Sequence, residues 1–441
     1  MILKTIGFWR WMVCLTSLIG PGAACLLGED AIDRLKMDRL KLIHESISDL
    51  EKQRSFHRIS RPYIDYRANL HVHSAFSHDS RGTIEEIVAA AKRAGTDILM
   101  FNEHPADHYD FYVDGHRGVR DGVLLIPGAE MKGFLVFPRM SMKAFSGAEK
   151  QELSNLVRLR EGLTFVSHLE ERMDWQIQGV TGCEIYNTHA DFKTEKRLLA
   201  SMKNPLWLIQ AKTMFDRYPQ ESLSALLDYP SDYLQRWDTL CQIHPHTGVS
   251  ANDAHQNVGL VVRWVDNKVR LEDALGEKLL EMDSAVYAAV QKIPKDVVDG
   301  QELLRIQLDP YACSLRHVGT HLLMKDLTEE SVWEALNSGR AFVSFDWLAN
   351  AKGFDFALWN QDQRQEMGSQ VRWEQRAEFR AVAPHPVQWR LIRNGTLIHE
   401  SDGETFQYIP ESDGNYRIEA WLTIGSEKHI WILSNPIYVA K

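Results

Sequence analysis

The string His71-Val72-His73-Ser74-Ala75-Phe76-Ser77-His78-Asp79 places three histidines within eight residues. The residues before it, 66–70, indicate a short strand, and residues i and i+2 of a strand point to the same face. The imidazoles of His71 and His73 can therefore reach one metal ion at the end of that strand. Neutral imidazole is the commonest protein ligand for zinc and similar ions, so the string predicts a metal site.

Further histidines and carboxylates follow predicted strands along the chain. Apolar runs that indicate buried strands lie at 97–101, 123–126, 163–167, 183–186 and 248–251. Helical patterns separate these runs, and one such helix is predicted to begin after Thr83 and to stop at Gly95. This alternation predicts a parallel sheet or barrel of the α/β class.

The ends of the predicted strands carry His104, Glu130, His168, Asp253 and His255. In barrel enzymes the carboxyl ends of the strands form the active-site face, so we expect these side chains to lie in one cluster.

These ordered motifs resemble the PHP (polymerase and histidinol phosphatase) superfamily. The resemblance rests on His71-x-His73, Asn-Glu-His104, Gly-Ala-Glu130, Ser-His168, Glu184-Ile-Tyr-Asn187 and Asn-Asp253-Ala-His255, and it covers about residues 66–260. The stretches 339–344 and 431–438 look like the carbaryl-hydrolase-like branch of these metallohydrolases. The resemblance implies a distorted (β/α)7 barrel with two or three divalent metal ions, either zinc, manganese or iron.

The resemblance also implies which residues hold the ions. The first ion would be held by His71, His73, Glu130 and Asp253. Glu130 would bridge to a second ion, which His168 also binds. A third ion would be held by His78, His104 and His255.

Two positions depart from the family pattern. Many members have a histidine a few residues after Gly-x-Glu, but residues 131–138 contain none, and His189 is the best substitute for the second ion. Glu103 stands where the family usually has Asp, and a role in supporting the ligands is expected for it. Glu184 is either a group that orients a ligand or an ordinary carboxylate at a strand end.

The predicted chemistry is hydrolysis. Paired ions lower the pKa of a bridging water and polarise a phosphoryl or carbonyl oxygen. We assign catalytic roles to Glu130, Asp253 and His255, and we predict a phosphoesterase that attacks a small phosphate ester with a metal-bridging hydroxide. One alternative is a hydrolase of a carboxylic or carbamate ester, favoured by the aromatic loop 109–112. A second alternative is a non-catalytic binding protein with a degenerate barrel.

The 441 residues exceed one compact core, and the pattern of the sequence changes near residue 350. We predict a signal peptide at 1–25, a helical extension at 26–62, the barrel at 63–350 and a small β-sandwich at 351–441. Residues 270–300 indicate helix. The pair Asn394-Gly395 predicts a hairpin turn within the sandwich.

Residues 1–25 have the features of an export signal, because the positively charged Lys4 and Arg10 precede the apolar run 11–19 and small residues precede Cys25. The run is too short to span a bilayer. We therefore expect a protein exported to the bacterial periplasm or beyond, and the sequence leaves a lipid-modified Cys25 open.

The remaining cysteines and the charge exclude other classes of protein. Cys183, Cys241 and Cys313 have no CxxC spacing, so neither a cysteine zinc site nor a disulfide framework is predicted, although a single bridge is left open. The net charge is −10 and the chain has no dense Lys/Arg cluster, which argues against a nucleic-acid partner. The predicted partner is a small-molecule substrate, and the oligomeric state is left open.

Overall fold

The computed structural model describes residues 31–201, 205–225, 228–288, 292–372 and 377–440. The predicted signal peptide, with Cys14 and Cys25, lies outside these residues. Among the helices in the described part of the chain, none combines the length and the apolar character needed to cross a bilayer.

The α-helices are α1 Ala31–Arg34, α2 Met37–Lys52, α3 Ile84–Ala94, α4 Lys150–Leu159, α5 Thr188–Thr194, α6 Lys196–Ser201, α7 Pro205–Arg217, α8 Pro219–Ser224, α9 Ser231–Cys241, α10 Ser284–Ala288, α11 Tyr311–His317 and α12 Glu329–Asn337. The strands of the N-terminal part are β1 Ile64–Val72, β2 Ile98–Phe101, β3 Gly118–Arg120, β4 Val123–Ile126, β5 Ala129–Met131, β6 Phe134–Phe137, β7 Leu163–Val166, β8 Gly182–Asn187 and β9 Thr247–Ala254.

The remaining strands are β10 Gly259–Val265, β11 Lys268–Asp273, β12 Lys278–Asp283, β13 Glu302–Gln307, β14 Gly319–Met324, β15 Ala341–Ser344, β16 Asp355–Asn360, β17 Gln363–Glu366, β18 Gln370–Arg372, β19 Glu378–Arg393, β20 Thr396–Tyr408, β21 Gly414–Ile424, β22 Glu427–Ser434 and β23 Ile437–Ala440.

The strands of the N-terminal part close into a barrel. Strand β1 pairs in parallel with β2 and β9, β2 pairs with β4, and a bridge from Glu103 to Ala129 continues this pairing onto β5. Strands β5, β6 and β7 pair antiparallel, and β7, β8 and β9 pair in parallel. The predicted α/β class is confirmed. A regular (β/α)7 alternation is not followed here, because β5 and β6 form a hairpin without a helix between them.

Helix α3 shows how local sequence positions the barrel elements. Thr83 accepts a hydrogen bond from the backbone of Glu86 at the start of the helix, and Gly95 ends it with a φ of 75°. These are the predicted ends. The apolar face of α3, which includes Ile87 and Val88, is buried and packs with α11 and the strand β2.

The C-terminal part is β-rich, as predicted. Strand β19 pairs with β16, β20 and β21, and β21 pairs with β22 and β23. The pairing of β15 with β22 makes this sheet continuous with the barrel through β14 and β1. Asn394 and Gly395 have φ values of 49° and 82° between the paired Arg393 and Thr396, which confirms the predicted hairpin turn.

The prediction of helix at 270–300 is wrong. In the described part of this segment, β11 and β12 belong to a four-stranded antiparallel sheet with β10 and β13, and the helix α10 has only five residues. The apolar residues of β11 have a period of two. Val269 and Leu271 alternate with charged neighbours, and Val269 is fully buried in the small core of this sheet. A short sequence in which charged and apolar residues are mixed fits either an amphipathic helix or a strand. Here the pairing with neighbouring strands stabilises the strand.

Helix α2 contains the predicted amphipathic pattern and buries Leu40, Ile43 and Ile47. It contacts α8 of the N-terminal part and β21 of the C-terminal part. Arg39 also binds the carboxylate of Glu427, with an Nη2–Oε2 distance of 2.6 Å. The helical extension therefore joins both parts of the molecule.

Candidate metal centre

Most of the predicted ligands converge at the carboxyl ends of the barrel strands. Groups whose candidate ligand atoms all lie within 4.8 Å of one another are His71, His73 and Asp253; His71, Glu130 and His168; His73, Asp79, His104 and His255; His189, Asp253 and His255; and His168, Glu170 and Glu171. These groups share members, so they form one continuous cluster.

Two carboxylates lie between the histidines of the cluster. The two oxygens of Glu130 each lie 3.3 Å from an imidazole Nε2, one from that of His71 and the other from that of His168. Asp253 Oδ1 lies 3.2 Å from His71 Nε2, and its Oδ2 lies 3.4 Å from His168 Nε2. Each carboxylate spans two imidazoles, which is the arrangement of a carboxylate that bridges two ions.

A third group of ligand atoms contains Asp79 in place of the predicted His78. Asp79 Oδ2 lies 3.3 Å from Nε2 of both His104 and His255. The side chain of His78 is exposed and belongs to none of the groups. The tight turn between Ser74 and Ser80 directs residue 79 inward and residue 78 outward. Asp79 therefore takes the place in this group that was predicted for His78. The ring centroid of His78 lies 5.0 Å from that of His104, and a ligand role for His78 stays a prediction.

His189 lies at the edge of the cluster. Its Nδ1 lies 3.5 Å from Asp253 Oδ2, and its side chain is partly exposed. It forms a group with Asp253 and His255, and no group joins it to Glu130. The structure therefore brings His189 to the cluster, but not to the place of the missing histidine beside Glu130 and His168.

Several buried atoms of the cluster have no hydrogen-bond partner among the described residues: His71 Nε2, His73 Nε2, Asp79 Oδ1, Asp253 Oδ1 and His255 Nε2. A buried polar atom without a partner costs about 1–3 kcal/mol, so such atoms are rare in folded proteins. All five belong to candidate ligands. The residues present therefore fit divalent metal ions.

The opposite ring nitrogens of these imidazoles are engaged, which fixes how each ring is oriented. His71 Nδ1 lies 2.6 Å from Glu184 Oε1, and His73 Nδ1 lies 3.0 Å from Ser77 Oγ. His255 Nδ1 lies 2.9 Å from the backbone oxygen of Asp253. A hydrogen-bond acceptor beside Nδ1 keeps the ring proton on that nitrogen. Nε2 then carries a free electron pair, and this is the form of imidazole that binds a metal.

Glu184 is thus a group that orients ligands, one of the two roles considered for it from the sequence. Besides His71, it accepts the backbone N–H of His168 at 2.7 Å and the side-chain amide of Asn187 at 3.2 Å. It is fully buried. One carboxylate therefore holds two ligands in place.

Glu103 organises the loop that follows β1. Its oxygens accept from the backbone and hydroxyl of Ser74 and from the hydroxyl of Ser77. Ser77 Oγ also accepts the backbone N–H of His104 at 3.0 Å. These contacts agree with the supporting role expected for this residue.

The pKa shifts of the imidazoles in the cluster differ in direction. Burial alone would lower the pKa of His71, His168 and His255, but the neighbouring carboxylates raise all three, that of His168 to about 10. Burial, together with the nearby His255, lowers the pKa of His73 to about 3, so this imidazole is neutral. For Glu130, burial alone would raise the pKa, but the neighbouring His71 and His168 hold it well below its usual range. Asp253 is likewise kept ionised by His71 and His255 against the effect of its burial.

The backbone at the ligands is strained. His71, His168 and Asp253 have φ values of 65°, 45° and 50°, a region that non-glycine residues rarely adopt. Register shifts lie at the same place, between Leu70 and Val72 where β1 pairs with β2 and β9. Such bulges re-aim side chains and each strained residue costs about 1–3 kcal/mol, which is typical of functional sites.

Sequence reasoning missed Asp79 and Glu170. Asp79 is the last residue of the histidine-rich string 71–79 and directly follows His78. Glu170 Oε1 lies 3.1 Å from His168 Nδ1, and its other oxygen accepts the hydroxyl of Tyr233. The only signal for Glu170 was a carboxylate two residues after a predicted ligand.

The free cysteines are Cys183, Cys241 and Cys313, so the single disulfide bridge left open by the sequence is absent from the described residues.

Comparison with known proteins gives one family. Residues 69–234 match the family model of the PHP domain, and this matched stretch includes the residues of the cluster from His71 to His189. A two-domain protein from Bacteroides vulgatus ATCC 8482, described as containing a predicted PHP-like metal-dependent phosphoesterase, is 12% identical with a TM-score of 0.37; the alignment covers 85% of this chain and 97% of that one. No curated protein matches this chain. The likeness to the carbaryl-hydrolase-like branch stays a prediction.

Proposed function

We propose that this protein is a metal-dependent phosphoesterase that hydrolyses a small phosphate ester. The observation that carries the proposal is the position of Glu130 and Asp253, each between two imidazoles, beside buried ligand atoms that have no other partner. The match of residues 69–234 to the PHP domain supports it.

We propose two or three divalent ions, either zinc, manganese or iron, as the cofactors. The residues that would hold them are His71, His73, Asp79, His104, Glu130, His168, His189, Asp253 and His255. Bound ions would lower the pKa of water and polarise a phosphoryl oxygen.

The chain itself supplies orientation and charge. Glu184 and Ser77 hold the rings of His71 and His73 with their Nε2 atoms turned to the centre. Glu130, Asp253 and His255 are the proposed catalytic residues. Asp253 and His255 each belong to two of the ligand groups, and Glu130 lies between the imidazoles of His71 and His168. Burial of the cluster keeps its electrostatic interactions strong, since water screens them little.

Hydrolysis of a carboxylic or carbamate ester is the second candidate function. It is favoured by a cavity beside Asp253 and His189 whose described lining contains neither lysine nor arginine. The aromatic loop does not add to this, because Tyr109 and Phe111 are buried and Phe76 stacks on Tyr109 at 5.2 Å between ring centroids.

The test combines metal content with hydrolysis. Elemental analysis of the purified, unchelated protein is expected to give two or three ions per chain. Activity on propyl phosphate, measured as released phosphate, is expected to exceed activity on propyl acetate, measured as released acetate. Asp253→Asn is expected to lower phosphatase activity by about 1,000-fold, because it removes a charged ligand while asparagine tolerates the positive φ.

The matched control is Asp362→Asn, which makes the same change at an exposed position in the C-terminal part. Its activity should equal that of the parent protein. Full activity of Asp253→Asn would contradict the proposal. Absence of metal, with no uptake of added zinc or manganese, would favour a non-catalytic binding protein, and activity on the acetate alone would favour the second candidate.

We also propose that the chain is exported through residues 1–25. The support is the charge and apolar pattern of that segment. A fusion of residues 1–25 to a reporter that is active only outside the cytoplasm should be active, and the same fusion without these residues should be silent. An inactive full fusion would contradict export.

A further inference from the structure

A small cavity of about 40 Å³ lies against the metal centre on the side of Asp253 and His189. Most of its remaining lining is apolar and comes from α1–α2, α6, α7, α8 and the segments that flank the small four-stranded sheet. The apolar side chains are Leu35, Leu198, Phe215, Leu223, Val258 and Leu308. No lysine or arginine is present among its described lining residues.

One polar side chain of this lining has no partner. Ser222 is fully buried, and its Oγ makes no hydrogen bond in the described part of the chain. The carboxylate of Asp309, which also lines the cavity, accepts from the backbone of Asn257 and Val258 and from the side chain of Gln307. The Ser222 hydroxyl can therefore donate a hydrogen bond to a bound molecule.

The size of the cavity limits its occupant. One water molecule needs about 10–15 Å³ of such volume, so this cavity holds about three atoms of that size. An aromatic ring or a nucleoside exceeds this space. An anionic group in the cavity would have to leave water without a lysine or arginine to pair with among the described lining residues, which disfavours it. A cationic group would lie beside the proposed metal ions, which disfavours it as well.

We infer that this cavity receives the non-phosphate end of the substrate, and that this end is a short, uncharged chain of three or four heavy atoms with one hydrogen-bond acceptor. The phosphate group would lie at the metal centre, and the acceptor would face Ser222. This inference rests on the proposed phosphoesterase function. It excludes nucleotides and aryl phosphates as the preferred substrates.

The test measures binding of phosphonates, which resist hydrolysis, to the metal-loaded full chain by calorimetry. Propylphosphonate should bind about 15-fold more tightly than methylphosphonate, because each buried methylene contributes about fourfold. 2-Oxopropylphosphonate should bind about fivefold more tightly than propylphosphonate through its carbonyl oxygen. Phenylphosphonate should bind no more tightly than methylphosphonate.

Variants of the residues that line the cavity test whether the preference for propylphosphonate arises there. Leu223→Phe fills the cavity and should abolish the preference for propylphosphonate, with methylphosphonate binding and metal content unchanged. Leu279→Phe, on the exposed strand β12, is the matched control and should keep the preference. Ser222→Ala should remove only the advantage of the oxo group.

Equal affinity for methyl- and propylphosphonate would overturn the inference and leave the phosphoesterase proposal standing. Tighter binding of phenylphosphonate than of propylphosphonate would overturn the size limit. If no phosphonate binds, the proposed function fails, and titration of 1-propanol then tests the cavity alone. Shifts of the Leu223 and Leu308 methyl resonances would support a site for a short uncharged chain, and their absence would overturn it.

Discussion

Strand β1 has a buried cluster of ionisable groups at each end, and the two clusters differ in how their charges are matched. At the start of β1, Asp65 and Arg67 lie with His321 and Asp346. At the end of the strand, His71 and His73 lie with Asp253 and its neighbours.

At the start of β1, donors face acceptors. Arg67 binds Asp346, and it also donates to the hydroxyl of Thr96 and the backbone oxygen of Leu315. His321 lies between two carboxylates, with its Nδ1 2.7 Å from Asp65 Oδ1 and its Nε2 3.3 Å from Asp346. Two cations and two anions balance, and we call this set the inner ion network.

At the end of β1, the centre contains atoms that face each other without a hydrogen bond. Nε2 of His71, His73 and His255 and an oxygen of Asp253 are buried and have no hydrogen-bond partner among the described residues. The inner ion network contains one such oxygen, Asp65 Oδ2, whereas the centre gathers several of these atoms in one place. Burial of charge alone therefore does not define a site, but a concentration of buried ligand atoms without hydrogen bonds does.

The largest expected effect on stability comes from breaking the inner ion network. Asp346→Ala should lower the free energy of unfolding by about 4 kcal/mol, because Arg67 remains buried without its carboxylate. Urea denaturation measures this change. The double variant Arg67→Leu/Asp346→Leu should lose clearly less, since it leaves neither charge alone. If Asp346→Ala costs under about 1 kcal/mol, the network does not stabilise the fold as described.

The next effect is a dependence of stability on pH. Burial alone would lower the pKa of His321, but Asp65 and Asp346 raise it to about 9. The protonated ring therefore stabilises the fold fully below about pH 6.5, and this contribution, at most about 3 kcal/mol, is lost as the pH rises through 9.

Urea denaturation of the parent protein and of His321→Gln between pH 6 and 10 measures this contribution as the difference between the two curves. The difference should shrink as the pH rises. His399→Gln, which changes an exposed histidine, is the control and should change the free energy of unfolding little. A difference that grows with pH would show that His321 is neutral in the folded protein.

The smallest effect sharpens the description of the metal centre. Glu184→Gln keeps an acceptor for His71 Nδ1 but removes the negative charge, so metal affinity should fall by about 10–100-fold with little change in stability. Titration with a competing chelator measures the affinity. Glu103→Gln is the matched control, because Glu103 bonds to Ser74 and Ser77 and not to an imidazole, and it should change the affinity less. Equal losses in both variants would remove the distinction between the two carboxylates.

Much of the fold and of the candidate site could be predicted from the sequence. Apolar runs followed by polar residues located the strand ends, and those ends bring His71, His73, Glu130, His168 and Asp253 together. Asn394-Gly395 fixed a hairpin because the two-residue turn needs positive φ at both positions. The turn and the positions of the strand ends depend on residues close together in the chain, so local rules are enough to predict them. The convergence of the strand ends was predicted from the expected barrel, in which the carboxyl ends of the strands share one face.

The tertiary structure decided the rest. The choice of Asp79 over His78 depends on a turn held by Ser74 and Ser77, and the role of Glu184 depends on a strand 113 residues away from its partner His71. The segment between β9 and α11 has a helix-like sequence pattern in part, but it forms a four-stranded sheet because its strands pair with one another. His71 and His73 do meet at Asp253, but through a bulge and a positive φ at His71, which only the packing of the neighbouring strands can impose.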